Sequence, residues 1–157
     1  MRLRLVRGTA LAMASMMLLG ACSAHPTAML DSVQLETYVS ATELRTPGDS
    51  VVIRVVVTNT ASTPHTVPWT ACPSAFEVRD ATGASVAPED LRTCALIAQQ
   101  RTLAPGESAE LTGVWRGEMR SGPREWLTAP AGTYRVYGRL LGTELVSAPV
   151  TLHVRAR

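Results

Sequence analysis

Nine consecutive residues, Val51-Val52-Ile53-Arg54-Val55-Val56-Val57-Thr58-Asn59, restrict this chain more than any other stretch. On an extended backbone Val51, Ile53, Val55 and Val57 fall on one side. Val52, Arg54, Val56 and Thr58 fall on the other. β-Branched side chains crowd a helix and suit a pleated strand. A period of two marks a strand with a buried face. The reading is a central strand over Ser50–Thr60, followed by a turn at Asn59-Thr60-Ala61-Ser62.

Other segments alternate in the same way. Asp31–Ser40 sets Val33, Leu35 and Val39 on one side. Ala148–Arg155 does so with Val150, Leu152 and Val154, which leaves His153 pointing to solvent. Ala75–Arg79 and Ala84–Val86 flank Asp80-Ala81-Thr82-Gly83, a hairpin-like turn. Thr66–Thr70 carries Pro68 and belongs at an edge or a bulge. Glu110–Trp115 follows the turn Ala104-Pro105-Gly106, and Tyr134–Leu141 precedes the last strand. Leu96–Leu103 stays open between a strand and, within Glu89–Gln100, a helical turn. Strands spaced by turn signals, with all ten prolines beyond residue 21, predict an all-β antiparallel sandwich.

The first 21 residues stand apart. Arg2, Arg4 and Arg7 precede an apolar run over Thr9–Leu19, and the small residues Gly20 and Ala21 precede Cys22. That order is the order of a secretory signal. The run is too short for a transmembrane helix, which needs about 20 apolar residues. Leu19-Gly20-Ala21-Cys22 resembles a bacterial lipoprotein signal, which implies that residues 1–21 are removed and Cys22 is lipidated. The expected organisation is a signal peptide over 1–21, a lipidated N-terminus and tether over 22–30, and one domain over 31–157. The expected location is the cell envelope, held in the membrane through Cys22. In a cell with two membranes it is the outer one, because Ser23 rather than an aspartate follows Cys22. Removing the three signal arginines from 15 leaves 12 Arg against 13 Asp+Glu. Such a near-neutral chain gives no ground for a nucleic-acid partner.

Cys72 and Cys94 remain. In an oxidising envelope such a pair closes a disulfide, worth about 3 kcal/mol in the chain-entropy model. A zinc site with His65 as third ligand is the weaker alternative, since zinc favours closely spaced cysteines and four ligands. His25 sits in the tether, His65 in a proline-flanked turn and His153 in the last strand. The sequence has no nucleophile elbow, zinc-protease motif, phosphate loop or dinucleotide fingerprint. The expectation is a noncatalytic chain with no cofactor and no metal. Arg116–Thr128 reads as a long loop and the best candidate surface for a protein partner, with Arg116, Met119, Arg120, Arg124 and Trp126. Arginine and tryptophan dominate binding hot spots, and loops on rigid frameworks carry recognition. The bland reading is a solvated loop whose Trp126 packs back on the sandwich edge. Pro64–Trp69 is a second exposed-loop candidate.

Four stretches in order resemble one family. They are Val55-Val56-Val57-Thr58-Asn59; Ala75-Phe76-Glu77-Val78-Arg79-Asp80 with Gly83; Leu103-Ala104-Pro105-Gly106-Glu107-Ser108 with Trp115; and Ala129-Pro130-Ala131-Gly132-Thr133-Tyr134-Arg135-Val136. Over about Val51–Val154 the chain is similar to the BsuPI-type proteinase-inhibitor domain. The resemblance implies an immunoglobulin-like sandwich with Trp115 and Tyr134 in its core, and it adds a protease to the candidate partners. No reactive loop matches position by position, so no inhibitory residue is assigned. The functional expectation is a lipid-anchored, noncatalytic envelope protein whose sandwich binds another envelope or extracellular protein. A BsuPI-like inhibitor and a structural or assembly lipoprotein are the alternatives.

Overall fold

The alternation over Val51–Asn59 becomes a strand with a neighbour on each side. The computed structural model describes residues 29–30, 32–69, 75–87, 99–122, 125–140 and 142–157. Among them the strands in chain order are β1 (Met29–Leu30), β2 (Val33–Val39), β3 (Glu43–Thr46), β4 (Val51–Asn59), β5 (His65–Trp69), β6 (Phe76–Arg79), β7 (Ser85–Ala87), β8 (Gln99–Leu103), β9 (Ser108–Trp115), β10 (Glu118–Gly122), β11 (Glu125–Thr128), β12 (Gly132–Gly138) and β13 (Val150–Ala156). No helix occurs among the described residues. One sheet has the order β1-β2-β4-β9 and a second has the order β3-β13-β12-β6-β7. Pairing within both is antiparallel except between β3 and β13, which run parallel. β5 with β8, and β10 with β11, form two-stranded antiparallel pairs.

The inward residues of the two large sheets join one apolar cluster. Val51, Ile53, Val55 and Val57 are at most 1% exposed, as the period of two requires. They pack with Val33 and Leu35 of β2, Phe76 and Val78 of β6, Tyr134 and Val136 of β12, and Leu152 and Val154 of β13. Each such aliphatic side chain contributes about 1.5–3 kcal/mol on full burial. Gly138 lets β12 come close to the other sheet. A Cβ there would run into Thr37 Oγ1 and lie 2.8 Å from Val55 Cγ1.

Several expectations need correction. Arg116–Thr128 is not a loop but mostly the β10–β11 hairpin. It shows no apolar alternation because it buries little. Its entry is fixed at Gly117, where φ is 67° and a Cβ would overlap Thr46 Cγ2. His65 does not sit in a turn; it opens β5 opposite Leu103. Pro64–Trp69 is accordingly almost all strand, with Val67 only 2% exposed. Pro68 does sit on a strand with one partner, as expected. The open segment before Leu103 ends as strand β8. β3 has no counterpart in the sequence reading. Its inward residues are Leu44 and Thr46, and a buried threonine hides the pattern. Met29 and Leu30, the end of the expected tether, pair with Gln34 and Val33. Cys22, Cys72, Cys94 and Arg124 lie outside the described residues.

Candidate functional site on the five-stranded sheet

Strand parity sorts the polar residues of the second sheet onto its outer face. Leu44, Val78, Tyr134, Val136, Leu152 and Val154 turn inward, so Arg45, Arg79, Arg135 and Arg155 turn outward. Arg139 and Arg157 continue the same parity beyond the ends of β12 and β13. Lateral pairing brings them together: Arg155 is opposite Arg45, and Arg135 lies between Thr151 and Arg79.

Three carboxylates hold this array. Glu43 is 2.9 Å from Arg155 Nε and 3.7 Å from Arg45 Nε. Asp49 receives Arg157 at 3.2 Å. Glu77 is clamped by Arg79, whose Nε and Nη2 donate at 3.0 and 3.1 Å, and by Arg139 Nη1 at 3.2 Å. The Arg79 guanidinium also sits 4.8 Å above the Tyr137 ring. Arg135 has no ion-pair partner among the described residues and is exposed. Among the described side chains, six guanidiniums against three carboxylates leave an excess of three positive charges on this face. On the outer face of the β2-β4-β9 sheet Arg54 pairs with Glu110 at 3.5 Å, Glu36 adds a second carboxylate, and Tyr38, Val52 and Val114 are exposed beside them. Among the described residues the outer faces of the two large sheets therefore differ in charge. Planar guanidiniums on a rigid strand array favour bidentate contact with carboxylates or phosphates.

Glu77 has a pH-dependent role. Burial pushes its carboxyl upward, but hydrogen bonds from Arg79 and Ser85 and the charges of Arg79 and Arg139 outweigh that and hold it below the ordinary carboxylate range. A carboxylate with a depressed folded-state pKa stabilises above its unfolded pKa, about 4.3, and loses that contribution as pH falls through the folded value. The urea midpoint should therefore hold from pH 7 to about 5.5 and fall below about 4.5. Glu77→Gln should lower stability near neutrality by about 1 kcal/mol and flatten that acid fall. An acid fall of unchanged steepness in Glu77→Gln would assign the effect to other groups.

The residues expected to bind a partner fall, where they are described, on both sides of the β10–β11 hairpin. Met119, opposite Leu127, packs partly against the core, while Arg120 is opposite Trp126 on the other face of the hairpin. Arg116 is exposed in the link from β9. Trp115 and Tyr134 do occupy the core, 4% and 3% exposed, with ring centroids 5.4 Å apart. His153 points to solvent beside Thr133. Among the described residues no three His, Cys, Asp or Glu side chains gather into a metal-binding group. Sequence reasoning missed the arginine face, although its signal was an arginine at outward parity in each of β3, β6, β12 and β13.

No family model and no curated protein matches the chain. Among solved structures it is similar to part of a β-glucosidase from Erythrobacter marinus, with 13% identity and a TM-score of 0.53 over 79% of this chain and 15% of that one. It is also similar to part of a β-glucosidase from Listeria innocua, with 17% identity and a TM-score of 0.50 over 80% of this chain and 16% of that one. The likeness is one of fold, and it takes in about one-sixth of each enzyme's length.

Proposed function

We propose that the chain is a noncatalytic, lipid-anchored envelope protein whose immunoglobulin-like β-sandwich binds an acidic surface of another envelope or extracellular protein. The arginine-lined face of the five-stranded sheet carries this reading. Two further observations support the sandwich. The two large sheets share one core. Tyr134, near the start of β12, donates its hydroxyl to Pro130 O at 2.9 Å, like the tyrosine corner of immunoglobulin-like domains. The resemblance of Leu19-Gly20-Ala21-Cys22 to a lipoprotein signal supports the anchor at Cys22.

The face suits steering. Its excess charge acts over about 8 Å at physiological salt and further at low salt. Complementary charge raises association rates and rejects like-charged partners. Crosslinking in intact cells followed by mass spectrometry tests the reading. Wild type should capture a reproducible partner. Arg135→Glu, at an exposed position without an ion pair, should lower the yield about tenfold with little change in stability. Thr112→Glu, on the opposite sheet face, should leave it unchanged. With purified partner, the deficit of Arg135→Glu should shrink as salt is raised. No reproducible partner, or equal capture by Arg135→Glu, overturns the assignment.

A further inference from the structure

A slot of about 520 Å³ runs along the side of β2 that faces away from β4. Residues 34–38 of β2 form one wall, and residues 148–151, leading into β13, form the other. Because consecutive residues line both walls, an object in the slot meets backbone as well as side chains. Parity tells which backbone groups it meets. Ser40 N–H donates to Val52 O and Thr60 N–H donates to Ser32 O, each at 2.9 Å. The even-numbered residues of β2 therefore bond to β4. Leu35 and Thr37 turn their N–H and C=O groups toward the slot, and Val39 turns its own to the same edge just beyond it. Among the described residues β1 covers only Val33 and Gln34 of this edge. The opposite wall includes Pro149, which has no N–H to offer.

We infer that this edge accepts an extended segment of a partner polypeptide, added as a strand to β2 with a basic side chain beside Glu36. Unpaired strand edges are templates for strand addition, and backbone bonding there supplies affinity while alternate side chains supply selectivity. Charge names the chemistry. Among the described residues Glu36 is the single charged one lining the slot. Its carboxylate accepts from Gln34 Nε2 at 2.9 Å and from Tyr38 Oη at 2.6 Å, and has no ion-pair partner among the described residues. The β2 edge carries none of the arginines of the five-stranded sheet, and its test reads Thr37 and Val39 rather than Arg135, so the two readings fail separately.

The test uses the full chain and a capped seven-residue peptide of alternating Val and Thr with one central Lys. Amide hydrogen exchange is followed at Thr37 and Val39. Both amides should exchange rapidly alone and at least tenfold more slowly with peptide. A peptide N-methylated at alternate residues should bind at least tenfold more weakly in one of the two phases of methylation. Glu36→Lys should weaken the Lys peptide and not its Glu counterpart. Amides already protected without peptide would assign the slot to residues of the chain itself and overturn the proposal. Failure to bind, binding without protection at Thr37 and Val39, or indifference to N-methylation in both phases would also overturn it.

Discussion

Trp115→Ala is expected to lower the free energy of unfolding by about 3–5 kcal/mol. Three features set that size. The indole is 4% exposed at the end of β9. Its ring lies 5.4 Å from the Tyr134 ring at 57°, a tilted pair that joins β9 to β12 across the core. Its Nε1–H donates to Glu118 O at 2.7 Å and fixes the link into β10. Truncation removes all three and leaves a cavity between the sheets. A domain of ordinary stability has about 5–15 kcal/mol in total, so the variant should be marginal. Trp115→Phe keeps a ring against Tyr134 and loses the donor, so it should cost much less, about 1–2 kcal/mol. Urea unfolding followed by circular dichroism measures both. A loss below about 1.5 kcal/mol in Trp115→Ala would show that the indole is not a packing element of the core.

Elements were legible in the sequence where one face of a strand is apolar and the other polar. β2, β4 and β13 satisfy that condition, and so does the β6–β7 hairpin around its Asp80–Gly83 turn. β3, β10 and β11 do not. β3 buries a threonine beside its leucine, and the hairpin sets Glu118, Arg120 and Ser121 around a single half-buried methionine. The placement of Trp115 and Tyr134 in the core followed from the family resemblance and agrees with their burial. The arginine face was hidden for another reason. Arg45, Arg79, Arg135 and Arg155 come from four strands spread over 110 positions, and only the order β3-β13-β12-β6 makes them neighbours. Near-neutral composition concealed the segregation, because it averages two faces of different charge. The arginines of the expected binding loop were close in sequence and easier to see, yet pairing turned Met119 and Arg120 to opposite sides.

Asn59 shows the same limit at one residue, and its replacement is the second large effect expected. The sequence placed it at the end of a strand and the start of a turn. The fold makes it a fully buried hub, 0% exposed. Its Nδ2 donates to Thr63 O and Leu103 O, and its Oδ1 accepts from Ala61 N–H, each at 2.9 Å. One amide thus ties the end of β4 to the following turn and to the end of β8. Asn59→Ala leaves two carbonyls and one N–H without these partners, and should cost about 2–4 kcal/mol. Asn59→Asp separates geometry from hydrogen-bond polarity. Its carboxylate can still accept from Ala61 but faces two carbonyl oxygens, so the ionised form is disfavoured and the folded-state pKa rises above the unfolded value of about 3.9. A raised folded pKa gives stability that is present below the unfolded pKa and lost as pH rises through the folded one. The stability gap between Asn59→Asp and wild type should therefore be widest near pH 7 and narrow toward pH 4. A gap that stays constant with pH, or an Asn59→Ala variant within about 0.5 kcal/mol of wild type, would mean that the hub does not hold this end of the domain together.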